Sequence, residues 1–262
     1  MPYLRDRAIV LRSDAFREHD RRIVLFGEQH GLLEAVARGA SAAVSKQGGH
    51  MVPFTEVEVL VAKGVVFDKL AVAQAVRSWP QVRNHLATLS VAGAFADLFT
   101  RMQRPGIVDA NAYTLLTELL DALESLPQEP SPDRARLLYA ASALKLLDRM
   151  GFAPPLSACT SCREAFTEQT EETWLLPTEG TFACPDCYRT LRRAHPNAQR
   201  VEIRTLALVR FLRRESFAQL ATLSGDPAHF REAASVVALL LGQAPLPRIP
   251  HGDETILALL SE

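Results

Sequence analysis

All four cysteines of the chain fall within residues 159–187, as Cys159-Thr160-Ser161-Cys162 and, after 21 intervening residues, Cys184-Pro185-Asp186-Cys187. Two residues between cysteines let both sulfurs of a tight turn face one ion, and two such turns supply the four thiolates of tetrahedral Zn²⁺. The spacing predicts a zinc ribbon with Cys159, Cys162, Cys184 and Cys187 as ligands. Competing readings are two structural disulfides, a thioredoxin-like redox pair, or coincidence. Disulfide frameworks suit small secreted chains, whereas this one has 262 residues, no cysteine elsewhere, and Pro2, Arg5, Asp6 and Arg7 where an export signal would begin. A redox Cys-x-x-Cys stands alone at a helix start, whereas two pairs here flank a polar, strand-like hairpin. Arg163 and Tyr188 follow the second cysteine of each pair, at positions where glycine would more easily turn left-handed. Four thiolates leave no open position for water or substrate, so the expected ion is structural rather than catalytic.

A chain of 262 residues with 48% hydrophobic residues can bury a full core and is expected to divide into two or three domains. The net charge of −1 and a pI near 6.7 exert no global pull on nucleic acid or membrane, so such binding must come from local patches. No apolar run approaches the roughly 18 residues of a membrane span. Reduced thiols point to a cytoplasmic protein.

From Arg7 to about Val76, β-type runs alternate with glycines: Arg7 to Arg12, Arg21 to Phe26, Leu32 to Ala40, Phe54 to Ala62 and Val65 to Ala73. In Phe54-Thr55-Glu56-Val57-Glu58-Val59-Leu60-Val61 glutamates alternate with valines, the period of a sheet with one wet and one buried face. Five strands in about 70 residues suit an OB-fold or an SH3-like barrel, which periodicity does not separate. After Trp79-Pro80 the period becomes helical, through Val82, Leu86, Leu89, Gly93 and Ala96. Asp109 is placed to cap a second helix that runs to about Leu126. Ser131-Pro132-Asp133 reads as N-cap, first-turn proline and dipole-favoured acid of a helix ending at Met150, with Gly151 just beyond. Cys187 is expected to begin a short helix carrying Arg189, Arg192 and Arg193 on one face. Two more helices are expected, Val201 to Leu223 and Pro227 to Leu241, followed by an extended tail around Pro245, Pro247 and Pro250.

Phosphate-cradling, dinucleotide-binding, zinc-protease and serine-hydrolase motifs are all missing from the sequence, so no enzyme class is indicated. The charge distribution says more. Tyr188 to Arg214 holds eight arginines against the single acid Glu202, and the barrel adds Arg7, Arg12, Arg17, Arg21, Arg22, Arg38 and Lys46. Solvated helix faces and a phosphate-binding surface are both consistent with such runs. Phe16 and Phe26 are of the type that stacks on bases, though each also suits a core.

Several stretches in this order carry a family resemblance: Ala8-Ile9-Val10-Leu11-Arg12, Phe16-Arg17-Glu18-His19-Asp20-Arg21-Arg22, Gly31, Val36-Ala37-Arg38-Gly39-Ala40, Pro53-Phe54, and Leu147 to Pro155 ahead of Cys159. Together they resemble the RecO recombination mediators of bacterial DNA repair. The resemblance implies an α+β multidomain protein: an N-terminal five-stranded OB-type barrel at 1–78, a helical domain at 79–153 continued at 196–262, and a four-cysteine zinc ribbon inserted at 154–195. It implies no catalysis. Proteins of this kind bind single- and double-stranded DNA, anneal complementary strands, and work with RecR to load RecA onto strands covered by single-strand binding protein, in the nucleoid-containing cytoplasm. After Gly39-Ala40 the resemblance leads one to expect arginines, yet Ser41, Ala42, Ala43 and Val44 stand there before Ser45-Lys46. The expected DNA contacts are therefore Arg12, Arg21, Arg22, Arg38 and Lys46 on the barrel with Arg189, Arg192 and Arg193 beside the zinc. For the acidic, apolar-tipped tail of the single-strand binding protein the candidates are Arg134, Arg136, Leu137, Leu138, Lys145 and Arg149. The alternatives are a zinc-ribbon adaptor of transcription or translation that binds mainly protein, and an unrecognised enzyme.

Overall fold

The structure, a computed structural model, describes residues 3–40, 48–127, 131–167 and 169–242. Its chain separates into two units, residues 1–128 and 129–262. In the first, five strands follow one another: β1 (Tyr3–Phe16), β2 (Asp20–Gly27), β3 (Gly31–Ala37), β4 (Thr55–Ala62) and β5 (Asp68–Ser78). They close into a barrel in the order β1-β2-β3-β5-β4, with β4 returning antiparallel to β1 and β3 meeting β5 in parallel. This connectivity selects the OB-type barrel over the SH3-like alternative. The fifth strand begins at Asp68 rather than Val65, and Val65 and Val66 project from the β4–β5 loop.

Alternation fills the barrel with Ala8, Val10, Ile23, Leu25, Leu33, Val57, Val59 and Val61. At Ala8–Leu11 and Ile23–Phe26 both strand faces are buried. The outer face there lies under α2 (Leu86–Met102) and α3 (Ala110–Glu124), against both of which α1 (Pro80–Asn84) packs. Phe26 has no exposed surface and meets Phe99 of α2 edge-on at 4.7 Å, with Tyr113 of α3 stacked beyond at 6.4 Å. Helical periodicity runs through His85, but its extended backbone divides the first helix in two. Asp109 caps α3 by accepting the Ala112 N–H.

Of the two glutamates on one face of β4, only Glu58 is partly exposed. Glu56 is buried under α3, where its Oε1 accepts the Tyr113 hydroxyl at 2.8 Å. Burial, followed by that hydrogen bond, raises the Tyr113 pKa and keeps its proton in place.

The second unit is organised on α4 (Pro132–Arg149), whose residues Leu137, Leu138, Tyr139, Ala140, Ala141, Ala143 and Leu144 have no exposed surface. It packs against α6 (Ile203–Arg214), α7 (Phe217–Thr222) and α8 (Pro227–Leu241). Gly151 ends α4 at φ +80°, and the N–H groups of Gly151 and Phe152 return to the carbonyls of Asp148 and Leu147. That crossed pair of bonds is the glycine-terminated stop expected from the sequence. The single helix expected over Val201 to Leu223 is instead a strand and two helices. The Ser216 hydroxyl caps α7 at the Gln219 N–H while the Gln219 side chain accepts the Ser216 N–H, so a new helix starts there.

Between α4 and α6 lies a three-stranded sheet of β6 (Glu172–Leu176), β7 (Thr181–Ala183) and β8 (Gln199–Glu202), ordered β7-β6-β8, with α5 (Pro185–Leu191) after β7. No helix among the described residues is long and apolar enough to cross a membrane. The tail around Pro245, Pro247 and Pro250 lies outside the described residues.

Candidate metal centre and nucleic-acid interface

The first cysteine pair sits at the tip of a small hairpin. The Cys159 N–H donates to the Glu164 carbonyl at 2.9 Å, and the Arg163 N–H returns to the Cys159 carbonyl at 2.8 Å. Arg163 adopts φ +64°, so the left-handed turn is made at that position without glycine. The second pair opens α5 two residues before Cys187, the start expected from the sequence: Cys184 is the N-cap, its sulfur accepting the Cys187 N–H at 3.5 Å, and Pro185 follows in the first turn. Tyr188, in the corresponding position of the second pair, is simply helical. The Thr160 N–H donates to the Phe182 carbonyl at 2.9 Å and holds the first turn against β7, the strand leading into the second.

These turns bring the four sulfurs within 4.8 Å of one another, with Cys162 Sγ and Cys184 Sγ 3.8 Å apart. Metal–sulfur bonds of about 2.3 Å in a tetrahedron place sulfurs about 3.8 Å apart, whereas a disulfide needs about 2.05 Å. The donor set therefore fits a metal ion. Burial and hydrogen bonds among the neighbouring thiols push Cys184 up to about 12. Burial opposes ionisation of Cys159 too, but backbone hydrogen bonds from Cys162, Cys184 and Ser161 outweigh it and bring the thiol down to about 6. Four thiolates at this spacing repel one another and coexist only around a cation.

Under the site, Leu175, Phe182 and Ala183 are fully buried, and Trp174 of β6 stacks on Tyr188 at 3.9 Å between ring centroids. Arg189 is exposed and paired with Asp186 at 3.1 Å, while Arg192 and Arg193, at and beyond the end of α5, face solvent. Further arginines of this run are engaged within the protein, two by backbone carbonyls and two in exposed ion pairs. Arg210 and Arg213 donate to the carbonyls of Leu156 and Pro154, Arg200 pairs with Glu172, and Arg214 pairs with Glu215. The cationic surface beside the metal centre is smaller than the sequence suggests.

On the barrel, Arg12 pairs with Asp14 at 2.9 Å, Arg22 pairs with Glu34, and Arg21 donates to the Ser13 hydroxyl and carbonyl. The hydrogen bond that Arg22 donates to Glu34, and the charge of that carboxylate, raise the Arg22 pKa further. Arg38 is exposed, with no carboxylate in reach among the described residues, and lines a cleft of about 370 Å³ at the loop edge. The cleft brings Arg38 together with Phe16, Arg17, Phe67 and Lys69. Phe67 and Lys69 escape notice in the sequence because both read as strand, which Lys69 is and Phe67 is not. Lys46 lies outside the described residues.

The α4 set does not form one surface. Leu137 and Leu138 are inside the core, Arg134 donates to the Leu223 carbonyl at 2.7 Å, Arg136 pairs with Asp133, and Lys145 donates to the Arg213 carbonyl at 2.9 Å. Arg149 alone of that set is solvent-exposed.

Two family models match the chain: "Recombination protein O N terminal" over residues 1–79 and "Recombination protein O C terminal" over residues 83–244. Among similar curated proteins, the DNA repair protein RecO of Rubrobacter xylanophilus is 30% identical over 245 residues, 94% of each chain. That of a Synechococcus species is 31% identical over 199 residues, 72% of this chain and 64% of its own. That of Symbiobacterium thermophilum is 29% identical over 179 residues, 68% of this chain and 69% of its own.

Proposed function

The chain belongs to the recombination protein O (RecO) family of DNA repair proteins, and we propose that it is a non-catalytic mediator that binds single- and double-stranded DNA and anneals complementary strands. With RecR it would help load RecA onto strands coated by single-strand binding protein, in the nucleoid-containing cytoplasm. One observation supports this beyond kinship: the OB-type barrel gathers exposed cations and aromatic rings at its loop edge, while a second basic group, Arg189, Arg192 and Arg193, adjoins the cysteines. Two separate cationic regions suit two strands. Holding one strand while capturing its complement turns a bimolecular search into a local one.

The ion is taken to be zinc, because the four-thiolate donor set with tetrahedral spacing is that metal's structural site. It would be held by Cys159, Cys162, Cys184 and Cys187 and would fix the two turns without taking part in a reaction. Arg12, Arg21, Arg22, Arg38 and Lys46 remain the proposed phosphate contacts on the barrel. Exposed ion pairs such as Arg12–Asp14 contribute little, so a phosphate can displace the carboxylate. Of the α4 residues, Arg149, which is exposed, remains the proposed contact for the tail of the single-strand binding protein.

The experiment is annealing of complementary oligonucleotides without ATP, first bare and then coated with the cognate single-strand binding protein, together with retardation of bare single strands at low salt. Acceleration of both annealing reactions is expected. No retardation and no acceleration would overturn the reading and favour the protein-binding adaptor.

A further inference from the structure

The four sulfurs of the cysteine cluster are not equivalent toward solvent. Cys159 is 1% exposed and Cys184 and Cys187 are half-buried, whereas Cys162 is exposed. A site that only clips two turns together gains nothing from an exposed sulfur, and an exposed thiolate is open to oxidants. The sulfurs also differ in how firmly they are held. Cys159 is fixed on every side: its N–H donates to the Glu164 carbonyl, its carbonyl accepts the Arg163 N–H, and its sulfur accepts backbone hydrogen bonds from Ser161, Cys162 and Cys184. Cys187 lies within the first turn of α5. Cys184, just outside that helix, has its sulfur 3.8 Å from that of Cys162 and accepts the Cys187 N–H at a long 3.5 Å. An accessible thiolate with a second, loosely tied sulfur in reach is the arrangement through which a hydroperoxide converts cysteines to a disulfide.

We propose that Cys162 is a site of oxidation by hydroperoxides and that Cys184 resolves it, joining the two turns by a disulfide and releasing the ion they share. This rests on the metal reading above and goes beyond it. The Cys162 thiolate attacks one peroxide oxygen, the O–O bond breaks, and a sulfenic acid forms as hydroxide leaves and is protonated to water. The Cys184 thiolate then attacks that sulfur, the S–O bond breaks, and a second hydroxide leaves and is protonated to water. Two thiolates lose two electrons in all, and one peroxide gains them. The sulfurs close from 3.8 Å to about 2.05 Å, and the Cys159 turn stays in place. The two cysteines that remain cannot enclose a tetrahedral ion.

The consequence reaches the basic group beside the cluster. α5 has no buried residue, its N-cap is Cys184, and the stacking of Tyr188 on Trp174 ties it to β6. Drawing Cys184 toward Cys162 takes the cap from the Cys187 N–H, so the order of the helix that carries Arg189 follows the redox state.

The test uses the full chain, purified with its metal under reducing conditions, and hydrogen peroxide as the probe. Less than one equivalent of peroxide is added, free thiols are alkylated, and disulfides are mapped by peptide mass spectrometry while a chromogenic chelator follows released metal. A Cys162–Cys184 bridge is expected to be the dominant cross-link, with about one ion lost per disulfide formed and both changes reversed by dithiothreitol and added zinc. With dimedone present, the sulfenic-acid adduct should appear on Cys162 ahead of the other three cysteines. Cys184→Ser and Cys187→Ser each remove one ligand, so any loosening of the segment affects both, but only Cys184→Ser removes the resolving sulfur. The Cys162 adduct is expected to accumulate in Cys184→Ser and to be lost to the bridge in Cys187→Ser. Predominant Cys159–Cys162 or Cys184–Cys187 bridges, an adduct spread evenly over the four cysteines, or metal retained after a molar excess of peroxide would overturn the inference while leaving the metal site standing. Protein that holds no metal as purified would remove the metal reading itself, and the proposal with it.

Discussion

The barrel and the cysteine segment solve the same problem by different means. The barrel closes five strands around a continuous apolar cluster and buries a second layer, with Phe26 at its centre, beneath α2 and α3. Burying each such side chain contributes roughly 1.5–3 kcal/mol, enough in sum to offset the entropy of ordering the chain. The cysteine segment has a three-residue β7, a five-residue β6, and a core of few residues around Phe182. Its four sulfurs converge where an ion could be held, so its order is expected to depend on that ion and the barrel's is not.

Removing the metal should break this symmetry most visibly. Structural zinc contributes about 10–16 kcal/mol of apparent binding energy in isolated finger peptides. Chelation, or Cys184→Ser, is expected to bring the metal content well below one per chain and to expose the amides of Thr173 and Phe182 to rapid hydrogen exchange, while Val57 and Val59 keep their protection. Protected amides in β6 and β7 after chelation would show that the small core suffices. In the other direction, Phe26→Ala should cost about 3–5 kcal/mol in denaturant unfolding of the barrel and leave the metal content unchanged.

A smaller effect is expected at Asp6, a buried carboxylate that accepts the N–H groups of Gln29 and His30 at the β2–β3 turn. Asp6→Ala strands those donors and should lower barrel stability by about 1–3 kcal/mol. Smallest is Arg163→Gly. A left-handed non-glycine residue costs about 1–2 kcal/mol, part of which glycine returns as chain entropy, so competition with a chelator should show metal binding tighter by up to about fivefold. Weaker binding in that variant would mean that the arginine side chain, not the turn, sets the affinity.

How much of this is legible in the sequence follows from the range of the forces involved. The cysteine pairs and the first four strands can be read because ligand spacing and period-2 alternation are local. So can the caps at Asp109 and Gly151. The fifth strand reads as starting too early because Val65, Val66 and Phe67 have strand chemistry but sit on a loop; local rules tend to fail where a surface is kept for something other than folding. Glu56 reads as wet because alternation along β4 carries no information about α3, 57 residues away at Tyr113. The arginines look free in the sequence because their partners lie across strands or in other elements, as Glu34 does for Arg22 and the Leu156 carbonyl for Arg210. The Ser216 and Gln219 capping pair is present in the sequence but masked, because the apolar period continues through it.

The barrel's closure is uneven. β1 and β2 share eight register pairs, whereas β3 and β5 touch only at Ala35–Asp68 and Val36–Lys69. That short parallel seam is where the wall would breathe first, since fewest ladder bonds must open there. Arg38 leaves one lip of the seam and Lys69 sits on the other. On the DNA-binding reading proposed above, a polyanion that bridged them would act as a clasp, linking occupancy to barrel integrity, so that strand binding is expected to raise the melting temperature of the barrel.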